Sequence, residues 1–141
     1  MDIVLLRQQH DAIEAISSEL AAIVMADAPR PVGAVRWRLA RELIGHLAVE
    51  DRWFYPHLIG NGPANAAQMA RAFKAEMGEL AAEFTQYIAD WSDQRIAKDW
   101  GAFGRETGSI LDALHNRIRR ENELLYPLCE VASQADIVRF G

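Results

Sequence analysis

Residues 46–56 read HLAVEDRWFYP and residues 117–127 read RIRRENELLYP. Both fit one template: an opening residue, a glutamate four positions on, an acidic or amide residue, and an aromatic–proline ending. The openers differ. His46 and Glu50 are one helical turn apart and face the same way. An imidazole with a carboxylate is a donor set for a divalent ion such as Fe or Zn. Arg117 and Glu121 have the same spacing, but a guanidinium stays protonated and cannot ligate a metal. It pairs with carboxylates instead. One pattern thus offers metal chemistry in one copy and ion pairing in the other.

Apolar residues recur at helical spacing along the chain, and no stretch alternates as a half-buried strand does. The first stripe is Leu6, His10, Ile13, Ser17, Leu20 and Val24. Pro29 and Pro31 break it, and Pro31 suits a first helical position. The second is Val35, Leu39, Leu43, His46, Glu50 and Trp53, closed by the turn signal Gly60-Asn61-Gly62-Pro63. The third is Phe73, Met77, Leu80, Phe84, Tyr87 and Trp91. A polar connection over 92–99 leads to the fourth: Ile110, Leu114, Arg117, Glu121, Leu124 and Leu128. Gly101, Gly104 and Gly108 leave the start of this last helix open, because each weakens a helix interior by about 1 kcal/mol unless close packing compensates. Short connections between long amphipathic helices predict an all-α, up-down-up-down antiparallel four-helix bundle, with residues 1–141 as one domain.

The stripes carry His10, His46, Glu50, Arg117 and Glu121 where leucine would be expected, and buried charge is costly unless paired or metal-bound. In an antiparallel bundle, residues at one height are equidistant from the turn that joins their helices. Residue 28, inside the first turn, lies midway between His10 and His46. The midpoint of His46 and Met77 falls between residues 61 and 62, inside the second turn. Residue 97, in the polar connection, lies midway between Met77 and Arg117. The arithmetic predicts one layer holding His10, His46, Glu50, Met77, Arg117 and Glu121. His57 and His115 are expected on the surface, as are Glu76 and Glu79 beside Met77. All four tryptophans are read as packing residues, Trp53 and Trp91 on interior stripes and Trp37 and Trp100 near helix ends.

The bulk composition narrows the function classes. With 141 residues, half of them apolar and a quarter charged, the chain can bury a sizeable core. A net charge of −5 without a dense Lys/Arg cluster argues against nucleic-acid binding. No apolar run approaches the length of a membrane span, and no signal-peptide pattern is present. The single cysteine, Cys129, rules out an internal disulfide and fits a reducing cytoplasm. No nucleophile–base pair or phosphate loop stands out, so a catalytic role has least support.

The chain resembles the hemerythrin-like family of HHE cation-binding domains over nearly its whole length. The likeness rests on His10, on His46-x-x-x-Glu50-Asp51 with Phe54-Tyr55-Pro56, and on Glu121 with Leu125-Tyr126-Pro127. Family members hold a non-haem di-iron centre within a four-helix bundle. The resemblance implies His10 and His46 as terminal ligands of one iron and Glu50 and Glu121 as bridges. The positions for histidines of a second iron hold Met77 and Arg117, a poor ligand for a hard ion and a non-ligand.

Two readings stay open. In one, His10, His46, Glu50 and Glu121 hold a single Fe or Zn, and Arg117 stands in for the second ion. The resemblance then implies sensing or handling of O2, NO or iron; reversible O2 carriage is not expected without the second iron. In the other, Arg117 pairs with Glu121 and Glu50, one histidine is protonated, no metal binds, and the bundle is a regulatory or protein-interaction module.

Overall fold

In the computed structural model, which describes residues 2–130, the chain is helical throughout, with no strand among the described residues. Helix α1 spans Ile3–Val24 and is capped by the Asp2 carboxylate, which accepts the Leu5 N–H at 3.1 Å. Helix α2 spans Gly33–Val49. Pro31 lies just before α2 and not within its first turn. A π-helical turn, Glu50–Phe54, joins α2 without a break to α3, Tyr55–Asn61. Helices α4, Ala64–Met77, and α5, Leu80–Asp90, follow. The polar connection forms its own short helix, α6, Asp93–Lys98. Helix α7 spans Trp100–Arg120 and runs into a second π turn, Glu121–Leu125. Helix α1 packs on α2 and α7, α5 on α2 and α7, and α4 on α3 and the second π turn.

Both π turns sit on the duplicated template, and the template's proline supplies a reason. Pro56 and Pro127 lack an N–H, and in an α-helix their rings would strike the carbonyl four residues back. The wider π turn lets the helix continue past that conflict. Its closing bonds run from the Tyr55 N–H to the Glu50 carbonyl and from the Tyr126 N–H to the Glu121 carbonyl. The insertion also rotates everything beyond it. A strict helical count turns Trp53 and Leu124 inward, yet both are exposed, and Phe54, Tyr55, Leu125 and Tyr126 are buried in their place. Trp37 is exposed as well, so only Trp91 and Trp100 are packing residues as expected.

The third stripe is not one helix. It breaks after Met77, where the Gly78 N–H bonds to the Lys74 carbonyl at 2.9 Å. A Cβ at Gly78 would lie 2.5 Å from that carbonyl oxygen, so the turn needs glycine. At the other end of the molecule α7 keeps its three glycines. A Cβ on Gly104 would come 3.3 Å from the Val24 carbonyl, so α1 and α7 approach closely there. Two apolar clusters result. One holds Ile13, Leu20, Leu39, Leu43, Phe84, Phe103 and Ile118 among others, and the second holds Leu6, Phe54, Leu58, Phe73 and Leu125. His10, His46, Glu50, Arg117 and Glu121 are buried at the junction of the two.

Gly78→Ala should lower stability by roughly 1–3 kcal/mol, as forced crowding does. The measurement is a urea denaturation midpoint that falls at constant m; an unchanged midpoint would show that the turn accepts a side chain.

Candidate metal centre

The four residues singled out as metal ligands come together. One donor atom from each of His10, His46, Glu50 and Glu121 lies within 4.8 Å of the others, and all four side chains are buried. His46 Nε2 lies 2.7 Å from Glu50 Oε1, and His10 Nε2 lies 3.1 Å from Glu121 Oε1. The imidazoles meet edge to face at 4.6 Å.

Both rings are fixed from behind by amides. His46 Nδ1 lies 2.7 Å from Gln9 Oε1, and His10 Nδ1 lies 2.8 Å from Asn122 Oδ1. An amide oxygen only accepts, so each Nδ1 carries the proton and donates it. Burial, reinforced by the positive charges near it, holds His46 down at about 4, so near neutral pH it is uncharged. Its Nε2 therefore presents a lone pair towards Glu50 Oε1. Among the described residues His46 Nε2, Glu50 Oε1 and Glu121 Oε1 are buried without a hydrogen-bond partner. Convergent buried acceptors repel unless a cation, or a proton held on Glu50, lies between them. Two imidazole nitrogens and two carboxylate oxygens are the ligand types of iron and zinc, so this donor set fits a divalent ion.

The other side of the layer belongs to Arg117. Its Nη2 lies 3.0 Å from Asp51 Oδ1 and 3.7 Å from Glu50 Oε1, and its Nε donates to Glu121 Oε2 at 3.3 Å. Nη1 donates to the Met77 carbonyl at 3.4 Å, an acceptor left free because α4 ends there. Met77 thus reaches the layer through its backbone, while its side chain packs on the second apolar cluster. Burial opposes the charge on Arg117, but Glu121, Glu50 and Asp51 outweigh it and raise its pKa.

Two tyrosines complete the layer, and spacing alone gave no role for them. Tyr55 donates to Glu121 Oε2 at 2.6 Å, and Tyr126 donates to Glu50 Oε2 at 2.9 Å. Each template copy therefore supplies the phenol that holds the other copy's glutamate. Burial, then the glutamate charges, raise both phenols above their ordinary value, so they stay protonated donors. Burial and the neighbouring Glu121 push Glu50 well up. Glu121 is held at about 2 against its burial by His10 and Glu50 beside it, the charge of Arg117 and the Tyr55 hydroxyl. Asp51, Gln9 and Asn122 were also missed. Asp51 and Asn122 shared one signal, the template's sixth position, and Gln9 had none.

The remaining titratable residues stand where expected. His57 and His115 are exposed, and His115 pairs with Glu14 at 3.3 Å. Glu76 and Glu79 are exposed, Glu76 pairing with Arg120.

The profile of the hemerythrin HHE cation binding domain matches residues 1–129. The chain belongs to this family. No curated protein and no solved structure matches the chain. Membership makes it a helical cation-binding domain, and the buried His/Glu group is where a cation could sit. No helix among the described residues is long and apolar enough to cross a membrane.

Arg117→Ala should strand the buried Glu50 and Glu121 and cost about 3–5 kcal/mol in chelator-treated protein. Tyr55→Phe removes a hydrogen bond to the ionised Glu121 and should cost about 1.5–3 kcal/mol, and Tyr126→Phe, whose acceptor Glu50 is pushed well up, should cost less. Urea unfolding measures all three, and a loss below about 1 kcal/mol for Arg117→Ala would contradict the charge balance described for the layer.

Proposed function

We propose that this HHE domain is a single-cation protein in which His10, His46, Glu50 and Glu121 hold one iron or zinc ion. Arg117 takes the place that a second ion has in a di-iron member of the family. One observation carries the reading: the neutral Nε2 of His46 and the Oε1 atoms of both glutamates converge, buried and unpartnered. The charge count supports one ion and not two. Glu50, Asp51 and Glu121 carry three negative charges when ionised, Arg117 returns one, and a single divalent ion cancels the rest. A second ion would have to displace a guanidinium that three carboxylates and a carbonyl retain.

Bound iron would supply one-electron chemistry and a position for a small gas ligand; zinc would supply only the latter's Lewis acidity. The chain's own residues do the rest. Gln9 and Asn122 orient the imidazoles, Tyr55 and Tyr126 hold one oxygen of each glutamate and leave the other for the ion, and the apolar clusters exclude water. We assign a role in sensing or handling NO, O2 or iron, and not in reversible O2 carriage. The same reading takes α1, α2–α3, α4–α5 and α7 as the four antiparallel arms of an up-down-up-down bundle within one domain, acting in the cytoplasm.

Elemental analysis of protein purified without chelator should find about one Fe or Zn per chain, as expected for a four-donor site. His10→Ala should abolish both the ion and the thermal stabilisation that added Fe(II) or Zn(II) gives the parent. Arg117→His should raise uptake above one. A parent that takes no ion even after anaerobic loading with Fe(II) would leave the Arg117 network as a metal-free core, and the domain as an interaction module.

A further inference from the structure

Helices α5 and α7 leave a groove between them. It encloses about 570 Å³ and is lined from Asp90 and Glu106 at one end to Ala82, Glu83 and Ala113 at the other. A smaller cavity of about 150 Å³ shares Glu83 and Ala113 and continues the line to Met77, Glu79 and Asn116. The lining descends α5 as it climbs α7, so the two rims run antiparallel. From Leu80 to Asp90 the α5 rim is about 15 Å long, or three turns. The floor is apolar: Leu80 and Tyr87 are buried there, and Ile110 is partly buried. None of the four proposed metal ligands lines either cavity.

The rims carry charge of one sign. Glu79, Glu83, Asp90 and Glu106 line the groove and are exposed, and no lysine, arginine or histidine lines it among the described residues. Glu76, at the end near Met77, is paired with Arg120, whereas those four make no ion pair among the described residues. Helix stability does not account for the set. Negative charge suits Glu79 and Glu83 at the start of α5, but Asp90 is its last residue, where it opposes the helix dipole. Glu106 lies inside α7.

The floor and the rims together define what fits. An apolar floor between two helices seats the apolar face of a third. Ala82 and Ala113, small residues on the two rims, let such a helix settle deeply. Negative rims repel nucleic acid, anionic lipid and a second groove of the same kind, and draw in lysine and arginine. We propose that the α5–α7 groove docks a basic amphipathic helix of a partner protein, about three turns long. Its apolar face lies on Leu80, Tyr87 and Ile110. Its flanking cations meet Glu83 and Asp90 on one side and Glu106 on the other.

The probe is a synthetic amidated peptide of about 15 lysine, alanine and leucine residues, long enough to form a helix, with lysines flanking one apolar stripe. Titrated into the isotope-labelled chain, it should shift the amide signals of residues 80–90 and 106–116 and leave those of α2 in place. Glu83→Lys combined with Glu106→Lys should weaken binding about tenfold or more, as opposing like charges do. Asp11→Lys combined with Asp27→Lys makes the same change in net charge outside the groove and should alter affinity less than about threefold, because salt screens distant charges. A peptide of the same composition with its lysines spread around the helix should bind about tenfold more weakly. No binding by the first peptide, equal binding by the second, or indifference to reversal at Glu83 and Glu106 overturns the proposal.

Discussion

Everything in this bundle is arranged around two glutamates buried side by side. Removing a carboxylate from water costs several kcal/mol even after relaxation, and a second one beside it adds repulsion. The structure meets that cost with specific donors and not with solvent. Glu121 receives the Tyr55 hydroxyl and the Arg117 guanidinium, and Glu50 receives the Tyr126 hydroxyl. Each hydrogen bond to a charged group is worth about 1.5–3 kcal/mol. Even so, Glu50 Oε1 faces the Nε2 of an uncharged His46 at 2.7 Å. The layer contains one cation on its arginine side and, on its histidine side, a buried His/Glu group that could hold another.

That arrangement explains why the chain repeats itself. A tyrosine five residues after a glutamate would lie about 140° away on an α-helix. The π turn brings it back to the same side, so Glu50 and Tyr55 face one interior, as do Glu121 and Tyr126. The following proline makes the wider turn the natural continuation of the helix. Glutamate, π turn, tyrosine and proline therefore form one device, and two copies are needed because each tyrosine serves the other copy's glutamate.

Much of this was legible beforehand, and the failures have a common cause. Counting equal rise from the turns put His10, His46 and Arg117 at one height, and all three are buried in contact with Glu50 or Glu121. Counting at a fixed period could not see an inserted residue, which is why Trp53 and Leu124 were turned inward and the tyrosines left without a role. The repeated Tyr-Pro was the available sign. Gln9 and Asn122 lie on no apolar stripe and act through a single atom each. The break in the third helix hangs on Gly78, one glycine in an otherwise continuous pattern.

The two halves of the layer differ at matched positions, and the differences agree with one another. At the template's sixth position Asn122 accepts the His10 Nδ1–H at 2.8 Å and adds no charge. Asp51, at the same position in the first copy, pairs with Arg117 at 3.0 Å. The carboxylate supplies the charge that a permanent guanidinium requires. Met77, where the first half has His10, gives only its carbonyl, and that oxygen is free because the helix ends at Gly78. Opener, sixth position and helix end thus all suit the fixed charge of Arg117 on one side, while the other side keeps the buried His/Glu group where a cation could sit. Reversing any one of them leaves the other two suited to arginine, so the asymmetry is a property of the whole half-site and not of a single substitution.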